Sequence, residues 1–257
     1  MTRILVLGMS HLRALRSAVT TAEDHFLEIV GLRSAPDIMD QSTLILRMEG
    51  RQWQSPDVVC LSLDRNLHNV FSLKENPEKF RVGDAVLGSV PPVPPDHSDQ
   101  PTRRFVPRDM LQVMFQRRLR REENWTRIIH DYFPKARFIY LSGPPPPLDL
   151  PPVNPDQPAT QNTLMAHFVN ADIAPSPLRM KIFDVQTDVY TRWATAFGAV
   201  FLEPPAAALT QDGFLDAPFW ATGDPTHGNA AYGRLVIEQI KAVIGMDQDV
   251  AATGESA

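Results

Sequence analysis

Cysteine is nearly absent from this chain: Cys60 stands alone among 257 residues. A single thiol excludes an intrachain disulfide and any zinc site built on cysteines. It lies in the apolar run Val58-Val59-Cys60-Leu61, where a buried thiol serves as a small packing group. Long hydrophobic runs are missing too, and nothing approaches the ~20 apolar residues of a membrane span. The N-terminal run, Ile4 to Leu7, is interrupted by Gly8-Met9-Ser10-His11, too early for a secretory leader. The expected location is therefore the cytoplasm, with no membrane partner.

Positive charge is not in excess. Lys and Arg number 25 against 30 Asp and Glu, a formal net charge of −5, which argues against a nucleic-acid partner and its usual basic footprint. The densest basic stretch, Arg117-Arg118-Leu119-Arg120-Arg121, runs straight into Glu122-Glu123 and reads as the solvated face of a helix. No His-Glu-x-x-His or comparable ligand spacing occurs, so neither a catalytic metal nor a cofactor is expected. The glycines of a dinucleotide fingerprint are also lacking. Gly8-Met9-Ser10-His11-Leu12-Arg13 has none of the later glycines that let a backbone approach a pyrophosphate.

What the chain does contain is alternation. Short apolar runs at Arg3–Leu7, Phe26–Val30, Asp57–Leu63, Arg137–Leu141 and Ala199–Leu202 suit strands buried on both faces of a parallel sheet. Helical patterns fall between them: His11–Thr21, a long one over Asp109–Phe133, Leu178–Phe197 stopped by Gly198, and Gly228–Ile244. The prediction is one α/β domain over 1–245, a three-layer α/β/α sandwich around a central, mainly parallel five-stranded sheet. Two proline-rich connections, near 72–107 and 143–160, read as stiff functional loops. The small, polar segment 246–257 is expected to be disordered.

Three stretches carry chemistry. Ser10 follows the first strand directly, at the carboxyl edge of the sheet where sites of open α/β folds gather. Free amides there can bind an oxyanion, although the same serine could simply cap a helix. Gly223-Asp224-Pro225-Thr226-His227-Gly228-Asn229 precedes the last helix. A serine hydroxyl needs a base to take its proton, and that base needs a carboxylate to fix its tautomer; Asp224 and His227, three apart in what reads as a loop, offer both. Asn66, in Ser62-Leu63-Asp64-Arg65-Asn66-Leu67-His68-Asn69 after the third strand, could donate its amide to an oxyanion. His11 and His68 would lie near the same rim, as substrate contacts or as structural histidines.

Taken in this order, the three stretches resemble the SGNH (GDSL-like) hydrolase family over almost the whole chain, from Ile4 to about Ile244. The resemblance implies a flavodoxin-like fold, Ser10 as nucleophile, His227 as general base, Asp224 as its orienter, and an oxyanion hole of Ser10, Asn66 and a backbone glycine. Gly31 is the nearest candidate for that glycine, with Gly50 as the alternative. Two departures stand out: the family's Gly-Asp-Ser reads Gly8-Met9-Ser10, and its Gly-x-Asn-Asp reads Asp64-Arg65-Asn66-Leu67. The second sets a charged side chain, Asp64, beside the expected oxyanion site. The function implied is hydrolysis of a small-molecule ester through an acyl-enzyme. Acyl transfer to another hydroxyl on the same triad, or a silent binding domain that kept the fold, are the alternatives.

Overall fold

β-Branched and leucine-rich runs bounded by turns pair into a sheet when both of their faces can be covered, and here both are. The computed structural model describes residues 2–20, 24–72, 81–82, 85–86, 107–149 and 174–245. Its elements run β1 (Ile4–Gly8), α1 (Leu12–Ala18), β2 (Leu27–Gly31), β3 (Val58–Ser62), α2 (Leu67–Ser72), a two-stranded ribbon of β4 (Arg81–Val82) and β5 (Ala85–Val86), α3 (Arg108–Arg118), α4 (Arg120–Tyr132), β6 (Arg137–Leu141), α5 (Ser176–Ala196), β7 (Val200–Leu202), β8 (Trp220–Ala221), β9 (Asp224–Gly228) and α6 (Ala230–Ile244). The central sheet has the order β2-β1-β3-β6-β7 and every pairing in it is parallel. This is the flavodoxin-like order, whose switch point lies between β1 and β3.

Side chains of each strand divide between the two faces with the period of two that a strand imposes. Leu5 and Leu7, Val59 and Leu61, Phe138 and Tyr140 enter one core with α3, α4 and α5. Ile4 and Val6, Val58 and Cys60, Ile139 and Leu141 enter the other with α1 and α6. Both faces are thus covered, giving the three expected layers. Each fully buried large aliphatic side chain contributes about 1.5–3 kcal/mol, so two continuous cores hold the sheet edges that carry the site. Cys60 is completely buried, and burial pushes its thiol far above the ordinary range, consistent with a packing role.

One expectation needs correction. The helix read over Asp109–Phe133 is two helices, broken at Leu119 where ψ is 5°. Leu119 is fully buried, and the tightened turn keeps it in the core while the chain bends around it. Next to the basic run, Glu122 points inward. It is completely buried, 3.4 Å from Arg121 and 3.7 Å from Arg65, while Arg117, Arg118 and Arg120 do face solvent. Pro144 to Pro147 are buried, and the buried Arg179 binds the carbonyls of Pro147 and Leu148, so the start of the second proline-rich connection is pinned to α5. The rest of both connections, apart from β4 and β5, and the segment 246–257 lie outside the described residues. Among the described residues no helix is long and apolar enough to cross a membrane.

Candidate active site

Close approach of β1 to β3 begins the site. A Cβ on Gly8 would sit 2.4 Å from the carbonyl oxygen of Ser62, so only glycine lets the strand ends meet there. The Met9 N–H then donates to that same carbonyl at 3.0 Å, fixing the turn that presents Ser10 to solvent. Helix α1 starts two residues later with His11 at its cap position and no side-chain capping bond. Among the described residues the Ser10 hydroxyl makes no hydrogen bond, so the capping alternative does not apply.

The Asp224–His227 segment is not a loop. It forms β9, which pairs antiparallel with β8 across a turn closed by Gly223 at φ +67°. Directly after it, Asn229 caps α6 by accepting from the Tyr232 N–H at 3.1 Å and donates to the Pro218 carbonyl at 2.7 Å. His227 is therefore held between a ribbon and a capped helix. Its Nδ1 lies 2.8 Å from Asp224 Oδ2. Asp224 Oδ1 accepts the Thr226 hydroxyl at 2.7 Å and the Thr226 N–H at 2.9 Å. Thr226 is a partner the sequence reading missed. Burial acts to raise the Asp224 carboxyl, but its bonds from His227 and Thr226 outweigh that and hold it at about 2. An ionised Asp224 requires the proton on Nδ1, which leaves Nε2 as an acceptor.

Across the cleft, Asn66 Nδ2 stands 3.4 Å from His227 Nε2, and its side chain also meets the buried His11. Ser10, Gly31, Asn66, Asp224 and His227 all line one cleft of about 460 Å³. Gly31 ends β2 opposite Gly8. Added there, a Cβ would lie 3.0 Å from the Arg16 guanidinium and 2.9 Å from Ser34 Oγ, so the missing side chain makes room for Arg16. Gly50 does not line this cleft. A Cβ there would collide with the Asp37 carbonyl at 1.8 Å, which gives that glycine a local packing reason.

Asp64 does not behave as a free charge beside the oxyanion site. It is buried, accepting the Gly143 N–H at 2.8 Å and the Gln186 amide from α5. Burial raises its carboxyl to about 7 despite the Gly143 bond. Gln186 also accepts the His68 N–H at 2.9 Å and lies 3.1 Å from His68 Nδ1. His68 is therefore interior rather than at the rim, and burial lowers its pKa to about 3. His11 is likewise buried, its ring centroid 4.9 Å from that of His227. Burial, and then the neighbouring His227 and His68, push it well below the ordinary histidine range. It is a neutral wall of the site. Among the described residues no group of histidine, cysteine and carboxylate side chains could hold a metal ion.

No family model and no curated protein matches the chain. Solved structures do. A GDSL-like lipase from Bacteroides thetaiotaomicron is 12% identical over 96% of this chain and 89% of that one, with a TM-score of 0.46. Phospholipase A1 from Streptomyces albidoflavus is 14% identical over 93% and 99%, with a TM-score of 0.46. An extracellular lipase from Streptomyces rimosus is 10% identical over 93% and 99%, with a TM-score of 0.47.

Proposed function

We propose that the chain is a serine acyl hydrolase of the SGNH kind that cleaves esters through Ser10, His227 and Asp224. The observation that carries this reading is the Asp224–Thr226–His227 array at 2.7–2.9 Å, set in the cleft that also holds Ser10, Asn66 and Gly31. Such an array fixes one tautomer and leaves Nε2 as a base, which is the requirement for activating a hydroxyl.

In the first half-reaction Ser10 Oγ attacks the ester carbonyl carbon as its proton passes to His227 Nε2. The carbonyl π pair moves to oxygen, where Asn66 Nδ2 and the N–H groups of Ser10 and Gly31 would hold it. Asp224 stabilises the imidazolium without taking its proton. Collapse breaks the carbon–alkoxide bond, and His227 returns the proton to the leaving alcohol. Water then adds to the acyl group with its proton passing to His227, and Ser10 departs with that proton. The sum is ester plus water to acid plus alcohol. Asn66 Nδ2 faces Nε2 at 3.4 Å. In the productive complex its amide swings to the oxyanion and Ser10 takes its place, a tightening common when substrate binds.

Steady-state hydrolysis of 4-nitrophenyl acetate and butyrate tests the reading. Wild type should turn over, and Ser10→Ala and His227→Ala should each lose at least about 10³-fold in kcat. An undiminished rate in Ser10→Ala would overturn it.

A further inference from the structure

Three arginines and two aspartates line the cleft. Arg16 and Arg33 line the side formed by α1 and the end of β2, and Arg65 lines the side that carries Asn66. Arg33 is exposed and forms no ion pair or hydrogen bond among the described residues. Arg16 is also exposed, and the one bond its guanidinium makes there is a 3.4 Å contact to the Ile29 carbonyl. That contact neutralises nothing and lays the guanidinium across the space Gly31 leaves open. Arg65 is tethered at 3.7 Å to the buried Glu122, so its charge is partly matched.

Neither carboxyl group of the cleft pairs with Arg16 or Arg33, and one carboxylate leaves the three arginines in excess. Asp224 is committed to His227 and Thr226. Asp64 is buried under bonds from Gly143 and Gln186. A protein with a net charge of −5 therefore concentrates unmatched guanidinium groups around its proposed nucleophile. Arginine forks match carboxylate and phosphate oxygens two at a time, and a cleft with an excess of positive charge attracts anions over about one Debye length.

We infer that the substrate is an ester carrying a second, anionic group, a carboxylate or a phosphate, which Arg16 and Arg33 bind while the ester carbonyl lies at Ser10. This rests on the hydrolase reading above for the reaction, but not for the binding. Anion binding by these two arginines is measurable without turnover, which keeps the two claims separable.

Two arms test it on the full chain. In the first, kcat/KM for mono-4-nitrophenyl glutarate is compared with that for 4-nitrophenyl valerate, which has the same chain length without the carboxylate. Wild type should favour the glutarate by about tenfold or more at low salt, and the preference should shrink as ionic strength rises. Arg33→Gln should cut it, and Arg16→Gln with Arg33→Gln should bring the ratio near one. In the second arm, glutarate and inorganic phosphate are titrated calorimetrically into Ser10→Ala, with and without the two arginine substitutions. At least one anion should bind, about tenfold weaker without the arginines; which one binds tighter distinguishes a carboxylate-bearing from a phosphate-bearing substrate. If neither anion binds more tightly than to the arginine variants, or if the glutarate preference is absent or survives in them, the inference is overturned. If both esters resist hydrolysis while an anion binds through the arginines, the hydrolase reading fails and the anion site stands.

Discussion

Two corners of the cleft each hold a buried aspartate within a few residues of a histidine, and they put these residues to opposite use. At the β9 corner, Asp224 faces an imidazole N–H, a hydroxyl and a backbone N–H, and remains a carboxylate at about 2. At the β3 corner, Asp64 meets amide donors from distant parts of the chain and lies deeper, and burial lifts it to about 7. His227 is half-buried with Nε2 near the cleft, whereas His68 is fully buried beside Gln186. Similar residue types, an aspartate with a histidine three or four positions on, thus form a proposed general base with its orienting carboxylate in one place and an internal brace in the other. What separates them is the donor set and the access to the cleft.

The sharpest way to break this comparison is to neutralise each aspartate in turn. Asp224→Asn should lower kcat on a 4-nitrophenyl ester by about 10⁴-fold, because an amide there no longer holds the right imidazole tautomer. Asp64→Asn should change it by less than about tenfold. Equal losses in steady-state kinetics would show that the two corners do not differ as described. Asn66→Ala comes next: removing one oxyanion donor should cost about 10²–10³ in kcat with little change in KM, as separate fits of the two constants would reveal.

Stability measurements probe the brace. Gln186→Leu strips Asp64 and the His68 N–H of a buried partner, and urea denaturation should register a loss of about 1–3 kcal/mol. Thr226→Val removes one hydroxyl donor from Asp224 and should cost about 1 kcal/mol in the same assay.

In pH dependence the two aspartates act with opposite sign. The raised Asp64 contributes stability that is present below its ordinary 3.8 and lost as pH rises toward about 7. The lowered Asp224 contributes stability that is present above 3.8 and lost as pH falls toward about 2. Their joint contribution is therefore greatest near pH 4. Unfolding free energy followed from pH 3 to 8 should decline less between 4 and 7 in Asp64→Asn than in wild type. An identical decline would remove Asp64 from that role.

The same contrast explains what was legible in the sequence. Asp224 and His227 bond across three residues, so a linear pattern contains their whole geometry, and the five strand runs announced themselves by composition. Asp64 finds its partners 79 and 122 positions away, at Gly143 and Gln186; nothing local foretells them, and it read as a stray charge. The burial of Glu122 was hidden for the same reason, since the burial of one helix position depends on a core assembled elsewhere. Thr226 lay inside the recognised motif, yet its hydroxyl needed the β9 ribbon to turn it onto Asp224. Arg16 and Arg33 converge on one cleft wall only because β1 and β2 pair side by side.

The central claim, that Ser10 is the nucleophile activated by the Asp224–His227 pair, has one most direct measurement. The full chain is treated with a fluorophosphonate, and the modified peptide is located by mass spectrometry. A single adduct on Ser10, lost in Ser10→Ala and slowed strongly in His227→Ala, is the predicted result. Stoichiometric labelling at another residue, or labelling that persists in Ser10→Ala, would contradict the account.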